Sequence, residues 1–255
     1  LATGKNLKMV SKHGVGVDNI DLDYCKEAGI AVTITPDANG LSVAEHAFAL
    51  MMSLAKKIIP VPRAYREIGF AAKNSPPCIE LSGKTAGVVG LGKIGTRFAN
   101  MCRFGFGMKV LAYDPFVKEA PEGVTLVSDL DELLRQSDFV SLHCSLVDGT
   151  RKIMNRDRLA AMKPTAILVN CARGPLVDEE ALIEALQNGK LGGAGLDVTA
   201  PEPVSPDSPL FQMDNVIVTP HYAPTTLEAA MRVSQIGAEN IVAYLSGGEP
   251  VGRLV

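Results

Sequence analysis

The sequence predicts an α/β fold built on a parallel sheet, and three observations carry that prediction. Short apolar runs alternate with longer amphipathic stretches, the pattern of stacked βα units. Most of these runs are continuous Val, Ile or Leu rather than alternating, as strands buried on both faces require. With 255 residues, 47% of them hydrophobic, the chain is long enough for one large core or two modest ones.

In chain order, strands are expected over Leu7 to Val10, Ala31 to Ile34, Thr85 to Val89, Lys109 to Tyr113, Phe139 to Leu142, Ala166 to Asn170, Gly193 to Leu196 and Val216 to Thr219. Helices fall between them. Ser42-Val43-Ala44-Glu45 matches a capping box ahead of an apolar run to Leu54, so a helix is expected to start at Ser42. Another is expected from Asp178 to Asn188-Gly189, an N-cap and C-cap pair. Asn74-Ser75-Pro76-Pro77 interrupts the helical pattern between Gly69 and Gly83, which marks a domain boundary. A second break lies near Tyr222 to Thr226, and a helix then runs to about Leu245. The expected organisation is a first segment at 1–78, a central domain at 79–222 and a return segment at 223–255 that makes the smaller domain discontinuous.

Charge and cysteine usage narrow the function classes. Twenty-five basic residues against 28 acidic ones give a net charge of -3, with no Lys/Arg block to bind nucleic acid or a membrane surface. Small molecules are the expected partners. The five cysteines are scattered without a C-x-x-C pair, which suits free thiols in a reducing cytoplasm and gives no zinc pattern. No metal is expected. No apolar run has the length of a membrane span, and Leu1 to Val10 has no signal-peptide core.

The sharpest local motif is Gly90-Leu91-Gly92-Lys93-Ile94-Gly95, between the strand ending at Val89 and a helix through Phe98 and Met101. In a dinucleotide-binding turn the first glycine permits the tight turn and the second lets the backbone approach pyrophosphate. The third lets helix and strand pack closely. The helix N-terminus then faces the phosphates, so Gly90, Gly92, Lys93, Ile94 and Gly95 are expected to bind cofactor. Asp114, in Ala112-Tyr113-Asp114-Pro115, ends the next strand at the distance expected for the acid that binds the adenosine ribose. A carboxylate there repels a 2′-phosphate, which favours NAD over NADP. In isolation Asp114 reads as a turn residue before Pro115; strand and fingerprint together favour the cofactor role.

Three further segments each follow an expected strand: Asn170-Cys171-Ala172-Arg173-Gly174, Asp197 to Pro203, and Thr219-Pro220-His221. They therefore fall at the carboxyl edge of the sheet, where open α/β sheets bind ligands. Reduction of a 2-oxo acid needs a cation for the carboxylate and a proton donor for the ketone oxygen. The planar fork of Arg173 suits the first task, and the imidazole of His221 the second. Glu202 would hydrogen-bond the other ring nitrogen and balance its charge on protonation. Singly, Arg173 reads as a surface residue, Pro201-Glu202-Pro203 as a rigid loop and His221 as evenly divided between catalysis and structure. Their order and setting favour catalysis. His46, mid-helix in an apolar run, reads as a packing or supporting residue, and His13 and His143 have no assignable carboxylate partner.

These motifs, with Gly14-Val15-Gly16-Val17-Asp18-Asn19-Ile20-Asp21, Ser42 to His46 and Val177-Asp178-Glu179, resemble the D-isomer-specific 2-hydroxyacid dehydrogenases over nearly the whole chain. The resemblance implies a Rossmann domain inserted into a smaller flavodoxin-like substrate domain, with the active site in the cleft and a homodimer formed through the Rossmann domain. It implies catalysis by Arg173, Glu202 and His221, with NAD as cofactor. Further cofactor contacts are implied at Cys144, Thr150, Cys171, Ala172 and Asp197, the last holding the nicotinamide carboxamide. Backbone amides at Val15 and Gly16 are implied to bind the substrate carboxylate. Three departures stand out: His143-Cys144-Ser145 replaces His-x-Pro, Tyr222-Ala223-Pro224 replaces a small glycine-containing segment, and Phe70 lies near the position of a common Trp. The family's opening βα units have no counterpart before Gly14, so the chain is expected to lack an N-terminal part. The alternative function is a non-enzymatic NAD(H)-sensing binding module, as in corepressors of this fold. Formate is disfavoured as substrate, because Val216 to Pro220 contains no Gln before His221.

Overall fold

The computed structural model describes residue 1 and residues 3–255. These form two compact units, residues 1–42 with 224–255, and residues 43–223.

The smaller unit opens with β1 (Met9–Ser11), α1 (Leu22–Glu27) and β2 (Ala31–Thr33). Asp21 caps α1 by accepting the Tyr24 amide, and β1 pairs with β2 in parallel from Met9↔Ala31. Cys25, Ile30 and Val32 are buried together beneath this pair.

Helix α2 (Gly40–Ala55) contains the boundary between the units. It begins two residues before the expected capping-box position. The Ser42 hydroxyl shares a hydrogen bond with the Thr226 hydroxyl at 2.7 Å, so the capping-box expectation is corrected. The buried stripe Val43, Ala44, Ala47, Leu50, Met51 and Ala55 follows helical spacing and joins Ala86, Val88, Ile167 and Val169 in one core. That packing puts α2 in the larger unit, whereas the sequence reading assigned residues through 78 to the first segment. The reason is a close approach invisible in the pattern: a Cβ at Gly195 would meet the Leu50 Cβ at 3.0 Å.

After α3 (Pro60–Ile68), the larger unit runs β3 (Thr85–Val89), α4 (Lys93–Asn100), β4 (Lys109–Tyr113), β5 (Val124–Leu126), α5 (Leu130–Gln136), β6 (Phe139–Leu142), α6 (Arg156–Ala161), β7 (Ile167–Asn170), α7 (Glu179–Gln187), β8 (Gly193–Leu196) and β9 (Val216–Val218). Its seven strands are all parallel, in the order β5-β4-β3-β6-β7-β8-β9. The order reverses between β3 and β6, the topological switch point of a Rossmann sheet. Strand residues alternate between two cores. Ile167 and Val169 face α2 and α4, while Leu168 faces α5, α6 and α7 through Leu133, Leu134, Leu159 and Leu182. Edge strand β5 has no counterpart in the expected set. It is only three residues long with one of them buried, too short to register as a run.

The chain returns to the smaller unit as α8 (Leu227–Leu245), capped by the Thr226 hydroxyl at Ala229. Asn240, 1% exposed, donates to the Ile34 carbonyl and accepts the Val251 amide. Arg232 donates to the Ala38 carbonyl, and the Gly252 to Val255 segment hydrogen-bonds along β2. These bonds make the smaller unit discontinuous in sequence.

Candidate active site

The glycine turn closes β3 onto α4 with the geometry a dinucleotide requires. Gly90 has φ +95°, and a Cβ there would stand 2.6 Å from the Cys144 amide nitrogen across the switch point. At Gly95 a Cβ would lie 2.0 Å from the Gly90 carbonyl oxygen, so this position locks helix to turn. Gly92 has nothing within 4 Å, leaving open space over the N-terminus of α4. A cradle that is tight behind and open in front fits pyrophosphate. Lys93 and Ile94 begin α4 at that opening.

Asp114 accepts two backbone amides at the end of β4. One carboxylate oxygen accepts the Phe116 amide at 2.9 Å, forming the local turn, and the other accepts the Leu91 amide at 2.8 Å. The same side chain thus braces the glycine turn. Burial first, with the nearby Asp114 charge contributing, raises the Cys144 thiol to about 11 and keeps it protonated near neutrality. Cys171 is buried and its thiol is pushed still higher. The Thr150 hydroxyl is engaged in its own loop, donating toward Ser145 and Val147 carbonyls and accepting the Val147 amide. His143 packs its ring 5.2 Å from Phe98, and burial lowers it to about 3, so it is neutral near pH 7.

Arg173 sits beyond the carboxyl end of β7 in a loop held by Asn170, the last residue of that strand. The Asn170 amide donates to the Arg173 carbonyl at 2.8 Å and its oxygen accepts the Ala172 amide at 3.0 Å. A Cβ on Gly174 would lie 1.9 Å from the Thr199 carbonyl oxygen, so the β7 and β8 loops are in backbone contact. The second loop is fastened again by Glu179, whose carboxylate accepts the Ala200 amide and is raised in pKa, mainly by burial.

From that loop Glu202 meets His221, its Oε1 2.7 Å from the imidazole Nδ1 and each side chain 45% exposed. With a carboxylate at Nδ1, that nitrogen carries hydrogen and Nε2 is left to face a ligand. Both residues line a cavity of about 410 Å³ with Val204, Phe211 and Val218. The His221 backbone adopts φ +54°, a strained conformation for a residue with a side chain.

Asp197 lines the same cavity as His221 and is tied to the turn that carries it. Its side chain is 0% exposed, and its oxygens accept the Tyr222 amide at 2.7 Å, the Ala223 amide at 2.9 Å and the Thr219 hydroxyl at 2.5 Å. These contacts hold the turn that carries His221. His46 Nε2 lies 3.0 Å from the Thr219 hydroxyl oxygen, a supporting position in agreement with its sequence reading.

Within the smaller unit, the Thr35 hydroxyl, buried, bridges the Gly14 amide and carbonyl and fixes the turn before Val15 and Gly16. Val15 is 43% exposed.

Comparison with known proteins agrees with this geometry. The family model described as D-isomer specific 2-hydroxyacid dehydrogenase, NAD binding domain, matches residues 48–223, more than half of the chain. The chain belongs to this family. A D-3-phosphoglycerate dehydrogenase of Archaeoglobus fulgidus is 46% identical over 258 residues, covering 100% of this chain and 48% of that protein. A glyoxylate reductase of Korarchaeum cryptofilum is 40% identical, covering 96% of this chain and 75% of its own length. The crystal structure of a D-lactate dehydrogenase from Aquifex aeolicus, complexed with NAD and lactic acid, superposes with TM-score 0.87 at 37% identity, covering 97% of this chain and 79% of that one. The chain spans about half the length of the phosphoglycerate dehydrogenases that it matches. All seven strands of the Rossmann sheet lie within the residues that the NAD-binding domain model matches. Among the described residues no helix is long and apolar enough to cross a membrane, and no cluster of His, Cys, Asp and Glu could hold a metal.

Proposed function

We propose that the protein is an NAD-dependent oxidoreductase interconverting a D-2-hydroxy acid and its 2-oxo acid, with Arg173, Glu202 and His221 as its catalytic residues. The observation that carries this reading is the 2.7 Å His221–Glu202 pair at the carboxyl edge of the Rossmann sheet. Bound nicotinamide supplies the hydride in reduction and accepts it in oxidation. Arg173 holds the substrate carboxylate and polarises the ketone. His221, protonated, gives the Nε2 proton to the substrate oxygen, while Glu202 keeps the ring oriented and balances its charge. In oxidation neutral His221 takes the hydroxyl proton by the same path. Exposed Val15, with Gly16, on the braced Gly14 turn supports the further proposal that their amides bind the substrate carboxylate.

NADH oxidation against pyruvate, glyoxylate, hydroxypyruvate, 2-oxobutyrate and phosphohydroxypyruvate tests the reading. Turnover of one of them is expected; tight NADH binding with no turnover on any would move the protein to the binding-module alternative.

Cofactor choice is assigned to Asp114, at the strand end beside the glycine turn. Asp114→Ala is expected to raise the NADPH-to-NADH ratio of kcat/KM and to lower stability by about 1 kcal/mol through the stranded Leu91 amide. An unchanged ratio would assign specificity to another residue.

The domain roles follow the two compact units: residues 43–223 for NAD, with 1–42 and 224–255 for substrate. A homodimer through the Rossmann domain is supported by Ile58, Ile59, Tyr65, Ile68 and Phe70, each more than half exposed around α3. Ile68→Glu with Phe70→Glu is expected to halve the mass measured by light scattering; an unchanged dimer would place the interface elsewhere. Free cysteines fit a cytoplasmic setting.

A further inference from the structure

We infer that His46 and Thr219 are positioning residues for His221, acting through the buried Asp197 carboxylate; the inference rests on the proposed role of His221 as proton donor. A threonine hydroxyl has one hydrogen, and at 2.5 Å it goes to the Asp197 carboxylate. The 3.0 Å contact between Thr219 Oγ1 and His46 Nε2 is then a donation from the ring, so Nε2 of His46 carries hydrogen. His46 Nε2 also stands 3.5 Å from the carboxylate itself. The relay runs from α2 through Thr219 to Asp197, and from Asp197 to the amides of Tyr222 and Ala223.

Those contacts bracket His221. Thr219 lies two residues before it, Tyr222 and Ala223 directly after, and the His221 amide itself donates to the Asp197 carbonyl at 2.8 Å. A turn that places a histidine at φ +54° keeps that conformation only where its surroundings over-determine it. The Asp197 carboxylate supplies this constraint, because a charge with 0% exposure must keep its donors. Removing the Thr219 hydroxyl takes away one donor to Asp197 and the hydrogen bond that ties His46 to the turn. The turn relaxes, and the Glu202 bond to Nδ1 loses its alignment.

The test uses the full-length protein and four variants. Thr219→Val and His46→Leu are expected to lower kcat on the order of tenfold or more, with the NADH dissociation constant within about twofold of wild type. Thr219→Ser and His46→Gln keep the donors and are expected to restore most of the rate. In a His221→Ala background, Thr219→Val is expected to cost no further rate, since its effect passes through the missing ring. Nitrogen-detected NMR of the His221 imidazole reads the same point without substrate: Thr219→Val should weaken the Nδ1–H signal of the Glu202 bond. Full rates in Thr219→Val and His46→Leu would overturn the inference, as would an equal further loss in the His221→Ala background. A rise in NADH dissociation constant matching the loss in kcat would place the effect on the cofactor rather than on His221 and also overturn it. Loss of turnover in His221→Ala with none in Thr219→Val defeats only this inference, whereas unchanged turnover in His221→Ala defeats the proton-donor reading on which it rests.

Discussion

His221→Ala is expected to lower kcat by about 10²- to 10⁴-fold, the usual contribution of a positioned general acid, while NADH affinity changes little. That loss corresponds to about 3–5 kcal/mol of transition-state stabilisation. The expectation follows from what the ring touches. Nδ1 is held by Glu202, and His221 lines a cavity with Glu202, Val204 and Phe211, so the substrate oxygen and not the cofactor is expected to lose a partner. Steady-state kinetics with fluorescence titration of NADH separates the two effects. A cofactor affinity that falls in step with turnover would remove His221 from the proton-transfer role. Glu202→Gln should cost less than His221→Ala, because an amide still accepts the Nδ1 hydrogen and only the charge is lost.

The second large effect is expected at a glycine that touches no substrate. Gly174→Ala places a methyl group where the Thr199 carbonyl oxygen stands 1.9 Å away, a backbone atom that cannot rotate aside. The β7 and β8 loops must separate, at a cost of about 2–3 kcal/mol or more. That corresponds to a drop in melting temperature of roughly 5–10 °C. Because Arg173 precedes the glycine and Glu202 lies three residues beyond Thr199, both proposed catalytic groups move. A fall in kcat/KM on the order of a hundredfold is therefore expected. Calorimetry and kinetics on the purified variant check both. A variant with wild-type melting and wild-type kcat/KM would show that the two loops do not depend on this contact.

Much of the Rossmann sheet could be read from residues in sequence. Continuous apolar runs gave β3, β4, β6 and β8 their observed limits, because strands covered on both faces need no alternation. The Asp178 and Asn188 caps bounded α7 as expected, since capping is a local bond between neighbours. β5 escaped because three residues at a sheet edge are held by pairing to β4 rather than by their own pattern. The capping box at Ser42 misled because its hydroxyl finds Thr226, a residue 184 positions away.

The catalytic candidates were legible for a different reason. Arg173, Glu202 and His221 each end a strand-loop segment, and parallel topology sends all such segments to one edge. The glycine turn was legible because its chemistry lies in backbone space, which consecutive glycines announce. The structural part of Asp197 was not legible: its bonds to Thr219, Tyr222 and Ala223 span 22 to 26 positions, and no local pattern announces them.

The sequence by itself determined the α/β class, the glycine cradle and the identity of the groups able to bind a carboxylate and move a proton, because these depend on neighbours and on residue chemistry. Tertiary structure alone decided that α2 packs against the Rossmann sheet, that Asp114 braces the cradle as well as ending a strand, and that His46, Thr219 and Asp197 form one chain of hydrogen bonds. Positions 46, 197 and 219 share no spacing or period; long-range packing brings them together, and sequence pattern reports only what lies within a few residues.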